Sequence, residues 1–388
     1  MEKETKIRIV QLVLLVVTLI TTTIAGAEWI FGKSIYAADE QGGLGLNRHY
    51  SLSDFATGLP FSMAFILILS VHEFGHYITA RIHKIKTSLP YYIPLPPFPL
   101  FFGTLGALIR IRQRIPTTSM NFDVGIAGPL AGFGAALIIL SYGFMNLPPP
   151  EYIFQIHPEY EQFGMNYPDH VYSAEFLKGG ADIIMGNNLL FQFLAGWLAD
   201  PIRMPNGHEV MHYPFLFAGY LSLVFTALNL MPIGQLDGGH VVYGLFGAKG
   251  HRWIASTVFV AFIFFAGIGI IRPGHGDEII WSIPLYLGFL YFTCKGLGFD
   301  VKNTAIISLS IFLLQYLLVL IVPNLTGFNG WLLFAFLLGR FVGVRHPGAE
   351  VEEPLSFERK VLGWIALVIL VLCFTPTPIE VISYESTP

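Results

Sequence analysis

Apolar runs about as long as a bilayer is thick recur along the whole chain, and no other feature constrains the fold so tightly. A hydrocarbon core of about 30 Å takes roughly 20 residues of helix to cross. About nine such runs can be placed: Ile9–Ile30, about 56–78, about 124–145, about 213–233, Ile254–Ile271, Ile279–Cys294, Ala305–Val322, and the shorter Trp331–Val344 and Val361–Phe374. In lipid, backbone polar groups must be satisfied within the protein, so these runs predict helices. The expected fold is an all-α polytopic membrane protein. Composition agrees, with 54% hydrophobic and only 12% charged residues, where a soluble domain has roughly 25% charged. A net charge of −4 and the lack of a basic stripe speak against nucleic-acid binding. Both cysteines, Cys294 and Cys373, lie in apolar runs, which excludes a disulfide framework and a Cys-rich zinc module. A metal here would have to be held by His and carboxylate.

Charge sets the orientation. With the N-terminus inside and the runs alternating, seventeen of the 22 Lys and Arg fall inside and five (Lys33, Arg48, Lys178, Arg203 and Arg272) fall outside. This is the positive-inside pattern. It predicts a multi-pass protein of the inner cell membrane with a cytoplasmic N-terminus. Lys3, Lys6 and Arg8, an apolar stretch and then Ala25-Gly26-Ala27 also have the arrangement of a secretory leader. A polytopic chain does not need one, and the run reads as a first spanning helix. The segment 147–212 falls outside and holds eight Asp or Glu against two Lys or Arg, which suits an aqueous face. No fixed-period repeat relates the two halves, unlike an inverted-repeat transporter. The expected organisation is 1–54, an N-terminal helix and outer loop; 55–146, the first part of a core; 147–212, an outer insert; 213–243, the second part of the core; and 244–388, C-terminal helices.

Two segments are neither plain helix nor plain loop. Pro90, Pro94, Pro96, Pro97 and Pro99 sit among Tyr91, Tyr92, Phe98, Phe101 and Phe102. Such dense proline prevents a helix, yet the stretch is too apolar for a free cytosolic loop. With the strand-like alternation at the end of 103–112, it reads as a small re-entrant β element, tolerated at membrane depth only where protein or a wet cavity surrounds it. In 186–198, Leu189, Leu190, Phe193, Leu194, Trp197 and Leu198 recur at helical spacing and predict an amphipathic helix on the outer surface.

The sharpest motif is His72-Glu73-Phe74-Gly75-His76, near the inner end of the second run. On a helix, residues four apart share a face. Two imidazoles can then chelate one ion, with Glu73 beside the water that ion would carry. Three ionisable groups inside an apolar span are costly and functional by default. A second match, His208-Glu209-Val210-Met211-His212, lies in the outer insert between Met204-Pro205-Asn206-Gly207 and Tyr213-Pro214. Gly and Pro at its edges leave barely one helical turn and no apolar wall is apparent, so it reads as a chance match. A zinc site needs a third protein ligand. Asp237, in Asn229-Leu-Met-Pro232-Ile-Gly-Gln-Leu-Asp237-Gly238-Gly239-His240, is the first candidate and His240 the second. Pro232 and Gly234 should break the fourth run there. The second and fourth runs both travel outside to inside, which puts His72, His76 and Asp237 in one leaflet, opposite His208 and His212.

These motifs, with Gly125-Ile-Ala-Gly128-Pro129-Leu-Ala-Gly132 between them, resemble the site-2 proteases, the intramembrane zinc metalloproteases of family M50. The resemblance covers about 55–243 and is nearest the plant and bacterial branch with extra helices after the core. The insert is too short for a typical PDZ domain, which some bacterial members carry there. The resemblance implies one zinc per chain on His72, His76 and Asp237, Glu73 as general base and then acid, and Asn229 bonding substrate backbone. It also implies proteolysis of a transmembrane segment of a membrane-protein substrate within the bilayer. Such a segment must unwind first. A strand edge at Gly106, Ala107 and Leu108 could receive it as an added strand. The glycines of the third run would permit close helix packing around the site. Two other classes fit parts of the pattern: a polytopic metal-binding transporter, and a non-proteolytic family member acting as a scaffold. The near absence of ionisable residues in the later runs opposes the first, and the intact Glu73 opposes the second. Nothing in the sequence sets the oligomeric state.

Overall fold

Helices form where the apolar runs fall. The computed structural model describes residues 2–38, 43–98, 101–177, 181–273 and 278–383. The runs overlap helices Glu2–Phe31, Leu59–Ile82, Thr118–Met145, Pro214–Leu230, Asp237–Ala266, Glu278–Cys294, Val301–Ile321, Gly330–Leu337 and Phe357–Cys373. The first, second, third and seventh of these are long and apolar enough to cross a membrane. The fifth departs from expectation. It starts at Asp237, where a loop before residue 254 was predicted. Lys249, His251 and Arg252 looked like loop residues, but they ride on a helix bent at Gly247, whose φ of 69° lets two helical pieces join. The chain is not purely helical either. Among the described residues three two-stranded antiparallel sheets form, where one small β element was expected.

The chain divides into two units. One comprises residues 1–113, 127–227 and 371–388. In it the first helix packs on Leu59–Ile82 through small residues. A Cβ on Gly58 would lie 1.9 Å from the Thr23 carbonyl oxygen, so only glycine allows this approach. The buried Thr22 and Ser62 hydroxyls meet at 2.6 Å. Ile9, Leu12, Val13, Val16 and Ile20 remain exposed on the first helix, an apolar surface suited to lipid.

The proline-rich segment is a hairpin. Strand β3 (Tyr91–Pro94) pairs with β4 (Thr104–Leu108), setting Tyr91 opposite Leu108 and Tyr92 opposite Ala107, with a register shift before Pro94. Pro99 and Leu100 lie outside the described residues. Gly106 has φ of 105°, open to glycine but strained for a side chain. The hairpin lies along the first helix. Gln11 donates to the Leu89 carbonyl at 2.7 Å, Thr21 to that of Gly103 at 2.6 Å, and the Trp29 indole to that of Phe101 at 3.2 Å. Gln11 and Trp29 are roughly 27 Å apart along a helix, most of a bilayer core.

The insert has a small core of its own: Ile153, Tyr160, Tyr167 and Val171 under Phe154, Phe163 and Phe176. Its amphipathic helix is Leu189–Leu198, started by Asn188, whose side chain accepts the Phe191 N–H. Strand β5 (Ala181–Met185) of the insert pairs with β6 (Ile379–Ser383) beyond the last helix.

The other unit comprises residues 114–126 and 228–370. Its helices bury polar groups in pairs, as apolar surroundings require. Gln315 accepts from Tyr286 at 2.9 Å and donates to the Ile263 and Phe264 carbonyls. The partly exposed Asp123 and Arg359 form a two-point ion pair at 2.7 and 2.8 Å.

Candidate metal centre

Helix Leu59–Ile82 is continuous through His72-Glu73-Phe74-Gly75-His76, so the four-residue spacing does what helical geometry dictates. His72, Glu73 and His76 are 7%, 5% and 8% exposed, so all three ionisable groups are buried. The Nε2 atoms of the two imidazoles lie 3.1 Å apart. A Glu73 carboxylate oxygen lies 3.9 Å from His72 Nε2. Imidazole nitrogens turned on one point are zinc-type donors, and no thiol competes, because Cys294 and Cys373 are buried elsewhere. The donor set therefore fits zinc.

Glycines shape this cluster. In helix Thr118–Met145, a Cβ on Gly128 would fall 2.1 Å from His76 Nε2, and one on Gly132 would fall 2.9 Å from the His72 Cβ. From the other side, a Cβ on Gly75 would lie 2.6 Å from the Ala127 carbonyl oxygen. The sequence marked this motif as a packing face; its Gly128 and Gly132 pack on the two histidines, and Gly125 packs on His240. The hairpin is tied in as well. Ser70, two residues before His72, shares a 2.6 Å hydrogen bond with the Tyr92 hydroxyl of β3. Gly106, Ala107 and Leu108 lie on β4, whose second edge has no strand partner among the described residues.

Helix Pro214–Leu230 stops just before Met231-Pro232, as expected. Asn229 is in its last turn and half-buried. Asp237 does not sit in an irregular segment, as expected, but is the first residue of the next helix. There the unsatisfied N–H groups favour a carboxylate. A Cβ on Gly238 would lie 1.8 Å from the Leu230 carbonyl oxygen, and one on Gly234 (φ 57°) would lie 1.9 Å from that of Gly343. The glycines after Pro232 thus allow a turn too tight for side chains. His240, the second candidate ligand, has Nδ1 2.7 Å from His346 Nε2. His346 Nδ1 accepts the Gly348 N–H, and its Nε2 also lies 3.1 Å from the Asn121 side-chain amide nitrogen.

The outer HExxH match does not form a helical chelate. Only Val210–His212 is helical, a single 3-10 turn. His208 turns to Asp182, at 2.7 Å, and stacks on Tyr172. The expectation that no apolar wall stands behind this segment is corrected: Glu209 and His212 are 2% and 7% exposed. Burial pushes the Glu209 carboxyl up and the His212 imidazole down to about 4. Both meet His157, 52 residues before Glu209 in the chain and too far for any local motif to show.

The sequence profile of peptidase family M50 matches residues 60–271. The probable zinc metalloprotease EGY1, chloroplastic, of Oryza sativa subsp. japonica is 30% identical over 199 residues, 49% of this chain and 28% of the relative. The Arabidopsis thaliana protein of the same description is 28% identical over 197 residues, 49% of this chain and 30% of its own. The probable zinc metalloprotease EGY2, chloroplastic, of Arabidopsis thaliana is 28% identical over 193 residues, 50% and 29%. The match thus spans less than a third of each of these relatives. No solved structure matches. The profile begins in the first turn of the HExxH helix and ends beyond the Asp237 helix, taking in the paired histidines and the glycines that cradle them. On that match, the chain belongs to peptidase family M50.

Proposed function

We propose that this chain is an intramembrane zinc metalloprotease that cleaves a transmembrane segment of a membrane-protein substrate. The observation that carries the reading is the pair of buried Nε2 atoms 3.1 Å apart on a long apolar helix, with the Glu73 carboxylate on the same turn. His72, His76 and Asp237 would hold one zinc ion. When bound, it supplies Lewis acidity toward the scissile carbonyl and toward water. Glu73 takes a proton from the attacking water at its carboxylate and delivers it to the leaving amine nitrogen. Asn229 donates its amide to the substrate carbonyl. The test is reconstitution of purified protein with a single-span substrate, wild type beside Glu73→Gln.

The nine runs would all span, with the N-terminus and the site toward the basic, cytoplasmic side of the inner cell membrane. Strand pairing supports the count. β5 of the outer insert pairs with β6 beyond the last run, which needs an even number of crossings between them, and six runs lie there. The Ile30 carbonyl at the end of the first helix also meets His212 of the insert, with two runs between. Single cysteines test the orientation, since both native thiols are buried. An impermeant maleimide should label Asp169→Cys from outside and Lys86→Cys only after the inner face is opened. The opposite pattern would invert the topology.

A helical substrate has no free backbone groups, so it must unwind before reaching Glu73. The second edge of β4 would receive it as an added strand. Edge pairing uses N–H groups, which proline lacks. Alternate N–H groups face each edge, so Ala107→Pro or Leu108→Pro should abolish cleavage while zinc content is kept. Normal cleavage by both variants would reduce the hairpin to an anchor.

A further inference from the structure

The outer insert holds a second convergence of metal-type donors. His157 lies between the 3-10 turns Pro150–Gln155 and Pro158–Asn166, and its ring stacks on Tyr160 with centroids 4.5 Å apart. Glu209 and His212 flank the turn that leads into helix Pro214–Leu230. His157 Nε2 is 3.2 Å from His212 Nε2, and His212 Nε2 is 3.3 Å from a Glu209 oxygen. One donor atom from each of the three residues lies within 4.8 Å of the others.

Outer partners hold each group with its inner atom turned to the common point. His212 Nδ1 lies 2.5 Å from the Ile30 carbonyl oxygen, an acceptor, so Nδ1 carries the proton. His157 Nδ1 lies 3.0 Å from a Glu159 carboxylate oxygen, again an acceptor. Tyr172 donates to the other Glu209 oxygen at 2.5 Å. With both Nδ1 atoms protonated, both Nε2 atoms present lone pairs, and the inner Glu209 oxygen adds a third. Three acceptors facing one another repel unless a proton or a metal ion joins them, and only a metal ion takes all three lone pairs at once. Imidazoles whose far nitrogens donate to a carboxylate and to a backbone carbonyl are the usual outer support of a metal site. Ligands about 2.0–2.1 Å from a tetrahedral zinc lie roughly 3.3 Å apart, close to the two separations His212 Nε2 makes with His157 and Glu209. All three residues also line a cavity of about 440 Å³, which leaves room for a fourth ligand.

We propose that His157, Glu209 and His212 form a second, extracytoplasmic binding site for a zinc-type divalent cation, with its fourth position open to this cavity. Two imidazoles and one carboxylate favour zinc over calcium or magnesium, which take oxygen ligands. The site is distinct from the HExxH centre and uses none of its residues. The ion would tie the start of the insert to its end, beside the last turn of the first helix.

The test counts metal on full-length protein in detergent, stripped with chelator, dialysed against zinc and freed of excess. Wild type should hold two zinc ions per chain, and His157→Gln and Glu209→Gln one each. His76→Ala should also hold one, and its combination with His157→Gln none. Cobalt added to His76→Ala should give the visible absorption of a four-coordinate site, absent in the double variant. Glu159→Gln should keep the second ion but bind it on the order of 10- to 100-fold more weakly, as loss of an outer support does. Glu209→Gln keeps the shape of the buried residue, and the partly exposed His157 provides an independent variant if it fails to fold. One zinc in wild type, or two retained in both His157→Gln and Glu209→Gln, would mean an adventitious ion only and overturn the proposal. Two ions retained in His76→Ala would instead count against the HExxH centre and leave this site standing.

Discussion

Glu73→Gln should keep its zinc and lose proteolysis. The side chain is 5% exposed and follows His72 on the same helical turn. Gln has the same length and still accepts and donates hydrogen bonds, so packing and the His72–His76 pair should survive. Its amide cannot take a proton from water or return one to the leaving nitrogen. General acid–base transfer contributes typically 10²–10⁴-fold, and a loss on that order is expected. Asp237→Ala should fail differently, losing zinc and cleavage together, because on the proposed reading it removes a ligand rather than a base. The readouts are zinc per chain and the rate of cleavage of a single-span substrate in proteoliposomes. A Gln variant that cleaves within tenfold of wild type would remove Glu73 from the proton path. An Asp237→Ala protein with full zinc at the HExxH centre would remove Asp237 from the ligand set.

Much of the helical framework was legible because lipid leaves the backbone few options. An apolar run becomes a helix, and its position follows from composition alone. The spacing of His72 and His76 was equally direct, since one helical turn fixes it. The misses are long-range or conformational. β5 and β6 are separated by almost two hundred residues and share no motif, so their pairing could not be read locally. Polar Lys249 and Arg252 suggested a loop, whereas Gly247 only bends a helix that continues. The outer HExxH failed for the reason the sequence gives, too little helix between Gly and Pro. Yet Glu209 and His212 are buried, because a partner as distant as His157 and an aromatic core close over them. A motif can be wrong as a motif while its residues still meet others in space.

Gly128→Ala should be the most damaging small change in the glycine-rich helix, and Gly134→Ala a nearly silent one. Helix propensity alone favours Ala over Gly by about 1 kcal/mol at either site. Packing separates them. At Gly134 an added Cβ meets nothing within 4 Å. At Gly128 it would sit 2.1 Å from His76 Nε2, the atom that faces the metal in the proposed site. Overpacking of this kind typically costs about 1–3 kcal/mol, and the easiest relief is to push the imidazole aside. A misplacement of about 1 Å at a catalytic group can cost on the order of 10²-fold in rate. Gly128→Ala should therefore lose zinc affinity and cleavage together while still folding. Gly132→Ala, with its nearest contact 2.9 Å away on His72, should fall between the two. The measurements are zinc affinity, cleavage rate and thermal stability in detergent across the three variants. Equal zinc affinity in Gly128→Ala and Gly134→Ala would mean that His76 does not rest against this helix in the working enzyme. The glycines would then serve helix packing alone.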